Sequence, residues 1–393
     1  MPSTCVCDSI YGVKHSVCEP ATQYLCDSIA ATIAEPAFSF NGRSIDQSQA
    51  VQQAASLLRE AKYPLFTGIN WLGIQSQQSV IDLCRYVNGV VDTFPTNSGR
   101  SSSTLSIARE GKIEATMGEV IDRSKAILVI DCAPDQSHPR FFKSLSCSNR
   151  DWFWIGANRN SHSDFTNWLA VDESDLDNVL VGLHAILQNT PIHNRLNGIG
   201  FKSSSANKSL AEIFQQWGEN ILQQDHACII HDSSSIEPEF DLHCDLITSI
   251  ARCMNSRCRA VALDVACHGN DLGAQSVLTW SSGFPNAADF TQMFPRSFAM
   301  EFSADNVCKR KECDVVFSFR NDLEECGLDF DGESKIVFSN GHSHESESGL
   351  NFRGMGFVED TFMRFDNVAF KIGSLKELNS TVATFVNRIR SLI

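Results

Sequence analysis

The sequence is short of positive charge: 32 Lys and Arg stand against 47 Asp and Glu, a formal net charge of −15. No basic patch or stripe stands out, which argues against a nucleic-acid backbone as ligand. No apolar run approaches the ~18 residues of a membrane-spanning helix. The first eight residues have neither the basic nor the apolar region of a secretory signal. A cytoplasmic protein without membrane contact is therefore expected. The chain also lacks a nucleotide-binding G-x-G-x-x-G, an internal repeat, and the Cys/His spacings of zinc ribbons or fingers. Its fifteen cysteines, an odd number, read as reduced thiols rather than a disulfide framework. Cys253 with Cys258, and Cys308 with Cys313, read as buried or incidental thiols. His243 and Cys244 point in different directions on one helix and make a poor metal pair.

What is present is a globular α/β chain. At 393 residues, 42% hydrophobic and 20% charged, it exceeds what one core usually holds. Ser44 and Gln47 have capping-box form ahead of a helix with Val51, Ala54, Ala55 and Leu58 on one face. Tyr63-Pro64 stops that helix, and residues 65–69 read as a buried strand. A second helix from about Gln77 turns Val80, Leu83, Cys84 and Val87 inward, with Asn88-Gly89 as its C-cap. The next strand is 90–92, followed by a Ser-rich stretch, 93–103, read as a surface loop. A short helix opening on Thr116 and Glu119 precedes a strand at 126–130. Further strands are read at 152–156, 227–231, 259–264, 313–319 and 335–339. Helices are read at 177–187, 210–222, 241–253 (Leu242, Leu246, Ile247 and Ile250 inward) and 374–393. The polar connection between the helices at 177–187 and 210–222 reads as a crossover between lobes. This alternation predicts an α/β fold, doubly wound, with mostly parallel sheets in two lobes. The expected division is a small N-terminal segment, 1–43, a first lobe, 44–200, and a second, 201–393. In such sheets ligands sit at the C-terminal ends of strands, which draws attention to residues 89–140. There, His138-Pro139-Arg140 reads as a loop anchor, with Arg140 pairing a carboxylate.

Several stretches carry a family likeness: G-V-V-D at 89–92, G-E-V-x-x-R at 118–123, P-x-x-x-H-P-R at 134–140, L-T-W-x-x-G-F-P at 278–285, A-x-D-F at 287–290, and a turn at 361–366. In this order along nearly the whole chain they resemble the B subunit of formylmethanofuran dehydrogenase, in the molybdopterin oxidoreductase superfamily. The likeness is strongest to the B subunit of the bacterial formyltransferase/hydrolase complex. It implies lobes like the central domains of molybdopterin oxidoreductases and a place in one-carbon metabolism, in tetrahydromethanopterin-linked formaldehyde oxidation. The implied partners are an amidohydrolase-like A subunit, a C subunit and a D formyltransferase subunit.

The sequence departs from the family where chemistry needs specific donors. Cys7 and Cys18 match two ligands of an N-terminal [4Fe–4S] motif, but the earlier two fall at Ser3 and ahead of Met1. Serine is a poor substitute for a cluster thiolate. Asn97, Ser98 and Gly99 stand where the redox family has its metal-binding cysteine, a histidine and a glycine, and an amide cannot replace a thiolate on molybdenum or tungsten. Ala157 and Asn158 replace an Asp-Pro whose carboxylate holds the nucleotide end of the cofactor, leaving Arg159. The expectation is a non-redox scaffold with no catalytic residue, no metal and no cofactor, in which His138, Arg140 and Arg159 line a vestigial pocket. The alternative is an active redox B subunit, with molybdopterin or tungstopterin and [4Fe–4S]. A stand-alone α/β ligand-binding protein is a third reading.

Overall fold

The computed structural model describes residues 37–93, 100–134, 138, 141–145, 149–157, 165–190, 196–205, 207–233, 242–266, 269–320, 334–339, 349–353, 361–371 and 381–393. The chain divides into two compact units, Met1–Asn97 with Cys267–Ile393, and Ser98–Ala266. That differs from the sequential division at residue 200. The first unit is discontinuous because its early strands pair with strands some 250 residues later (Leu65 with Val316), a pairing that periodicity does not encode.

The first unit opens with β1 (Ala37–Phe40), β2 (Arg43–Ser44), α1 (Gln47–Glu60), β3 (Pro64–Thr67), α2 (Ile74–Tyr86) and β4 (Val90–Asp92). The capping box of α1 is formed by Asp46 and Gln49, two residues later than Ser44 and Gln47. The expected inward face, Val51, Ala54, Ala55 and Leu58, is buried. In α2, Val80, Leu83 and Cys84 are buried as the spacing predicts. β3 stops at Thr67 rather than at Ile69, because Gly68 takes a left-handed φ of 78° and starts a 3₁₀ turn at Ile69–Trp71.

The second unit contains α3 (Arg100–Glu110), α4 (Met117–Arg123), β5 (Ala126–Ile130), α5 (Phe141–Leu145), β6 (Asp151–Gly156) and β7 (Asn167–Val171). It continues with α6 (Leu176–Leu187), β8 (Phe201–Ser203), α7 (Leu210–Leu222), β9 (His226–His231), α8 (Leu242–Met254) and β10 (Arg259–Asp264). Its sheet runs β10-β9-β5-β6-β7-β8, parallel except for the β7–β8 pair. Three expectations change here. Part of the Ser-rich loop is the start of α3, whose inward positions are Ser103, Thr104 and Ser106, so its amphipathic pattern is written in small polar residues. Ion pairs at its C-terminal end, Arg109 to Asp245 (2.9 Å) and Arg252 to Glu110 (2.6 Å), tie it to α8. Helices α6 and α7 lie within one unit, so the polar segment between them is no crossover between lobes. In α8 Ile247 and Ile250 are buried as expected, but His243 and Cys244 are buried with them and Leu242 is exposed. Arg150 closes the ends of α4 and α5: its guanidinium donates to Leu145 O (2.9 Å), Val120 O (3.0 Å), Ser124 O and Ile121 O. A cation there satisfies carbonyls that a helix end leaves orphaned.

The chain then completes the first unit with α9 (Asp271–Ser282), β11 (Ala288–Asp289), β12 (Arg296–Ser297), α10 (Ala299–Phe302), α11 (Ala304–Lys309), β13 (Val315–Arg320), β14 (Lys335–Ser339), β15 (Leu350–Arg353), β16 (Thr361–Met363), β17 (Ala369–Lys371) and α12 (Val382–Leu392). The large sheet runs β12-β11-β4-β3-β13-β14-β15-β1-β2, with a parallel centre from β4 to β15. A ladder of phenylalanines crosses it: Phe66 to Phe317 (centroids 5.0 Å apart), Phe317 to Phe338 (5.1 Å) and Phe338 to Phe352 (4.3 Å). The turn expected at 361–366 is the β16–β17 hairpin, where Arg364 and Asp366 form a buried ion pair and Asn367 has φ 60°. The described part of the last helix is Val382–Leu392; the earlier residues of the expected 374–393 helix lie outside the described residues.

Candidate functional site

Each parallel sheet has one point where the winding reverses. In the second unit β6 and β7 lie on one side of β5, and β9 and β10 on the other. In the first unit β4 lies on one side of β3, and β13 to β15 on the other. Loops leaving adjacent strands diverge at such a point and open a crevice at the strands' C-terminal ends, where α/β proteins bind ligands.

At the second unit's reversal, Asp131 leaves β5 with φ 41°, and its Oδ1 accepts the Ala157 N–H at 2.8 Å. Gly156 leaves room for this, since a Cβ there would lie 2.6 Å from Asp131 Oδ1. Cys132 Sγ donates to Ile230 O at 3.7 Å. His138 is fully buried, with Nε2 3.1 Å from Val265 O. On the far side, His231 ends β9 and Asp264 ends β10, in register with each other. The Asp264 carboxylate accepts from Ser233 Oγ (2.6 Å), Ser233 N (3.0 Å) and Ala266 N (3.0 Å). Burial opposes ionisation of Asp264, but nearby His231 and Lys112 and the Ser233 bonds outweigh it and hold the carboxyl below its ordinary range. Burial lowers the His231 pKa, partly offset by Asp264, and its Nδ1 has no hydrogen-bond partner. Beside them, His243 Nδ1 lies 3.3 Å from Asp177 Oδ1, and burial pushes the Cys244 thiol up.

This is a buried polar set that can hold a proton or accept one from a bound group. It is not a nucleophilic triad, because Ser233 donates directly to Asp264 with no imidazole between them. The sign of its pH dependence follows from His231. A folded pKa below the ordinary 6.5 means that the unfolded chain binds more protons just below that pH. Stability is fully present above 6.5 and is lost as pH falls toward the folded value. His184 and His226 shift the same way through burial. His231→Gln is expected to flatten the fall of unfolding free energy between about pH 7 and pH 5, by at most ~1.4 kcal/mol per pH unit. Urea titrations across that range measure it, and an unchanged slope would assign the dependence to other groups.

At the first unit's reversal, Asp92 Oδ2 accepts from Ala304 N (2.7 Å), and Asn286 Oδ1 accepts from Thr93 N (3.0 Å) and Thr93 Oγ1 (2.6 Å). Thr67 Oγ1, Asn70 Oδ1 and Gln77 Oε1 are buried there without hydrogen-bond partners. Such acceptors mark a place where a water or a donating ligand would be satisfied. A groove of about 320 Å³ between α6 and α7 in the second unit lies away from the strand ends, beside Glu219 and Arg257.

Of the candidate residues, His138 is placed at the second unit's strand ends. Asn97, Ser98, Gly99, Arg140, Arg159, Cys7 and Cys18 lie outside the described residues. The Ala157 N–H is held by Asp131, a carboxylate at the end of the neighbouring strand. Sequence reading passed over His231, Ser233 and Asp264; their signal was position, at or just past the ends of two legible strands. Among the described residues no group of three His, Cys, Asp or Glu is placed to hold a metal ion. Cys84 is buried in the core of α2, and Cys132 is turned to a backbone carbonyl. The described thiols therefore do not fit molybdenum, tungsten or a cluster, which need several convergent soft donors.

No protein-family model matches the chain. Its fold matches a chain of the formyltransferase/hydrolase complex from Methylorubrum extorquens, solved in complex with methylofuran, with a TM-score of 0.73 and 16% identity over 90% of this chain and 98% of that one. It is 22% identical over 341 residues to the B subunit of the tungsten-containing formylmethanofuran dehydrogenase 2 of Methanocaldococcus jannaschii, covering 80% of this chain and 74% of that protein. The B subunit of the same name from Methanococcus maripaludis is 22% identical over 289 residues, 71% of this chain and 65% of its own length. The class of protein is thus a two-unit α/β chain with largely parallel sheets, sharing its fold with a chain of that complex. Within that class, its sequence is similar to formylmethanofuran dehydrogenase B subunits.

Proposed function

We propose that the chain is the B subunit of a formyltransferase/hydrolase complex in one-carbon metabolism. In this reading it is a cytoplasmic scaffold that does no redox chemistry of its own. The observation that carries the reading is the fold match along 98% of a chain of such a complex. The donor changes at Asn97, Ser98 and Ala157 support the scaffold role, since thiolate and carboxylate chemistry has no substitute in amide, hydroxyl or methyl groups. Partners would be the amidohydrolase-like A subunit, the C subunit and the D formyltransferase subunit. Among the described residues no helix is long and apolar enough to cross a membrane.

The test is the metal and pterin content of the complex purified from its own cells. Neither metal nor pterin, with hydrolase and transferase chains co-purified, is the expected result. The second reading, an active redox subunit, is favoured by the tungsten-containing relatives. One tungsten or molybdenum atom per chain would establish it and overturn the scaffold.

A chain that works within a complex should carry an apolar surface for its partners, and one stretch of the first unit does. Trp280 at the end of α9 is 75% exposed, Met293 and Phe294 between β11 and β12 are 90% and 74% exposed, and Phe298 is 55% exposed. Large apolar side chains gathered this densely in sequence mark an interaction surface more often than a solvated one. The double substitution Met293→Glu with Phe294→Glu is expected to weaken co-purification of the partner chains by about tenfold or more, as loss of an apolar anchor does. Thermal unfolding of the isolated chain should be unchanged. Full recovery of partners would place the contact elsewhere.

A further inference from the structure

Among the described residues, the first unit holds one pair of thiols close enough to react. Cys308, near the end of α11, and Cys313, two residues before β13, have Sγ atoms 3.9 Å apart, and both are buried. The other cysteine pair at the same spacing, Cys253 and Cys258, shows no such contact, and Cys84 and Cys228 are single thiols deep in their cores. We propose that Cys308 and Cys313 form a redox-active dithiol that peroxide converts to an intramolecular disulfide.

Three features support this site. The first is reach: closing 3.9 Å to the ~2.05 Å of a disulfide requires a local move of under about 2 Å at a turn, where Lys311 already adopts a φ of 54°. The second is polarity. The hydrogen bond between the two sulfurs holds the Cys313 thiol below its ordinary range against the opposing effect of burial, while the same bond and burial push the Cys308 thiol up. Cys313 is thus the attacking sulfur and Cys308 the one that resolves it. The third is position. Asp314, the next residue, accepts from Lys62 N (2.6 Å) and Tyr63 N (3.0 Å) just ahead of β3, and the other end of α11 donates from Ala304 N to Asp92. A cross-link here would stiffen the junction between α11 and the central strands.

The steps balance. The Cys313 thiolate attacks one peroxide oxygen, the O–O bond breaks, and the departing hydroxide takes a proton to leave as water, giving a sulfenic acid. The Cys308 sulfur then attacks the Cys313 sulfur, expelling the hydroxyl, which leaves as a second water with the Cys308 proton. Two thiols lose two electrons in all, and one hydrogen peroxide gains them.

The experiment uses the full-length chain. It is treated with a small excess of hydrogen peroxide, unfolded in alkylating reagent and cut with trypsin without reduction. Lys309, Arg310 and Lys311 separate the two cysteines, so a disulfide appears as two tryptic peptides joined by one bond. The expected result is that the joined pair becomes the main form of both peptides and disappears on reduction, while Cys84 and Cys228 remain alkylated. In Cys308→Ser, dimedone should trap a sulfenic acid on Cys313; in Cys313→Ser, Cys308 should stay alkylatable. Alkylation of both cysteines after peroxide, over-oxidation of each separately, or linkage to other cysteines would overturn the proposal. None of these outcomes depends on assembly with other chains.

Discussion

Gly68→Ala is expected to destabilise the first unit by more than about 4 kcal/mol, enough to leave much of the chain unfolded. Gly68 follows β3 at the reversal point of the sheet, with φ 78°, and an added Cβ would lie 2.2 Å from the carbonyl oxygen of Phe319 in β13. That oxygen belongs to a strand held by β3 on one side and β14 on the other, so it cannot retreat without breaking two ladders. Gly283→Ala is the control. Its φ is 86°, but an added Cβ would meet nothing within 4 Å, so only the left-handed backbone cost of about 1–2 kcal/mol applies. Urea unfolding of both variants separates contact from conformation. If Gly68→Ala cost no more than Gly283→Ala, the close approach of β3 and β13 would be wrong.

The same glycine shows what could be read in advance. The strand before it was legible because Leu65 and Phe66 are a buried apolar run after a proline stop. Its end was not, because the lack of room for a Cβ there comes from Phe319 in β13, some 250 residues away. Strands 126–130, 259–264 and 335–339 were placed as the structure has them, since all three are short apolar runs between polar turns. Helix α3 was missed in a Ser-rich stretch, where the inward face is Ser103, Thr104 and Ser106 rather than leucine or valine. Leu242 was placed inward by its hydrophobicity, but it opens α8, and the buried face begins with His243 and Cys244. The site shows the same limit. Asp131, His231 and Asp264 share one end of the sheet only because parallel pairing brings β5, β9 and β10 side by side. Motif likeness drew attention to His138 but to none of these three, and strand order, which supplies them, is not a local property of sequence.

Phe338→Ala is expected to cost about 3–5 kcal/mol, the range for removing a fully buried phenylalanine. Phe338 sits at the centre of the ladder, nearly parallel to Phe352 at 4.3 Å and also against Phe317 (5.1 Å) and Phe319 (5.3 Å). Its neighbours lie on β13 and β15, both hydrogen-bonded to its own strand, so they are poorly able to collapse into the space. Phe338→Leu fills most of the volume and should cost nearer 1–2 kcal/mol, the remainder being lost ring–ring contact. Trp280→Ala removes a larger ring that is 75% exposed and should change stability by less than about 0.5 kcal/mol. The comparison separates the two uses this chain makes of aromatic residues. Phe338 secures the sheet from inside, and its loss should appear in the unfolding of the chain alone. Trp280 contributes little to that unfolding, so any loss from Trp280→Ala should appear only when partner chains are present. Equal costs for the two variants in the isolated chain would mean that Trp280 is packed against the fold rather than held for a partner.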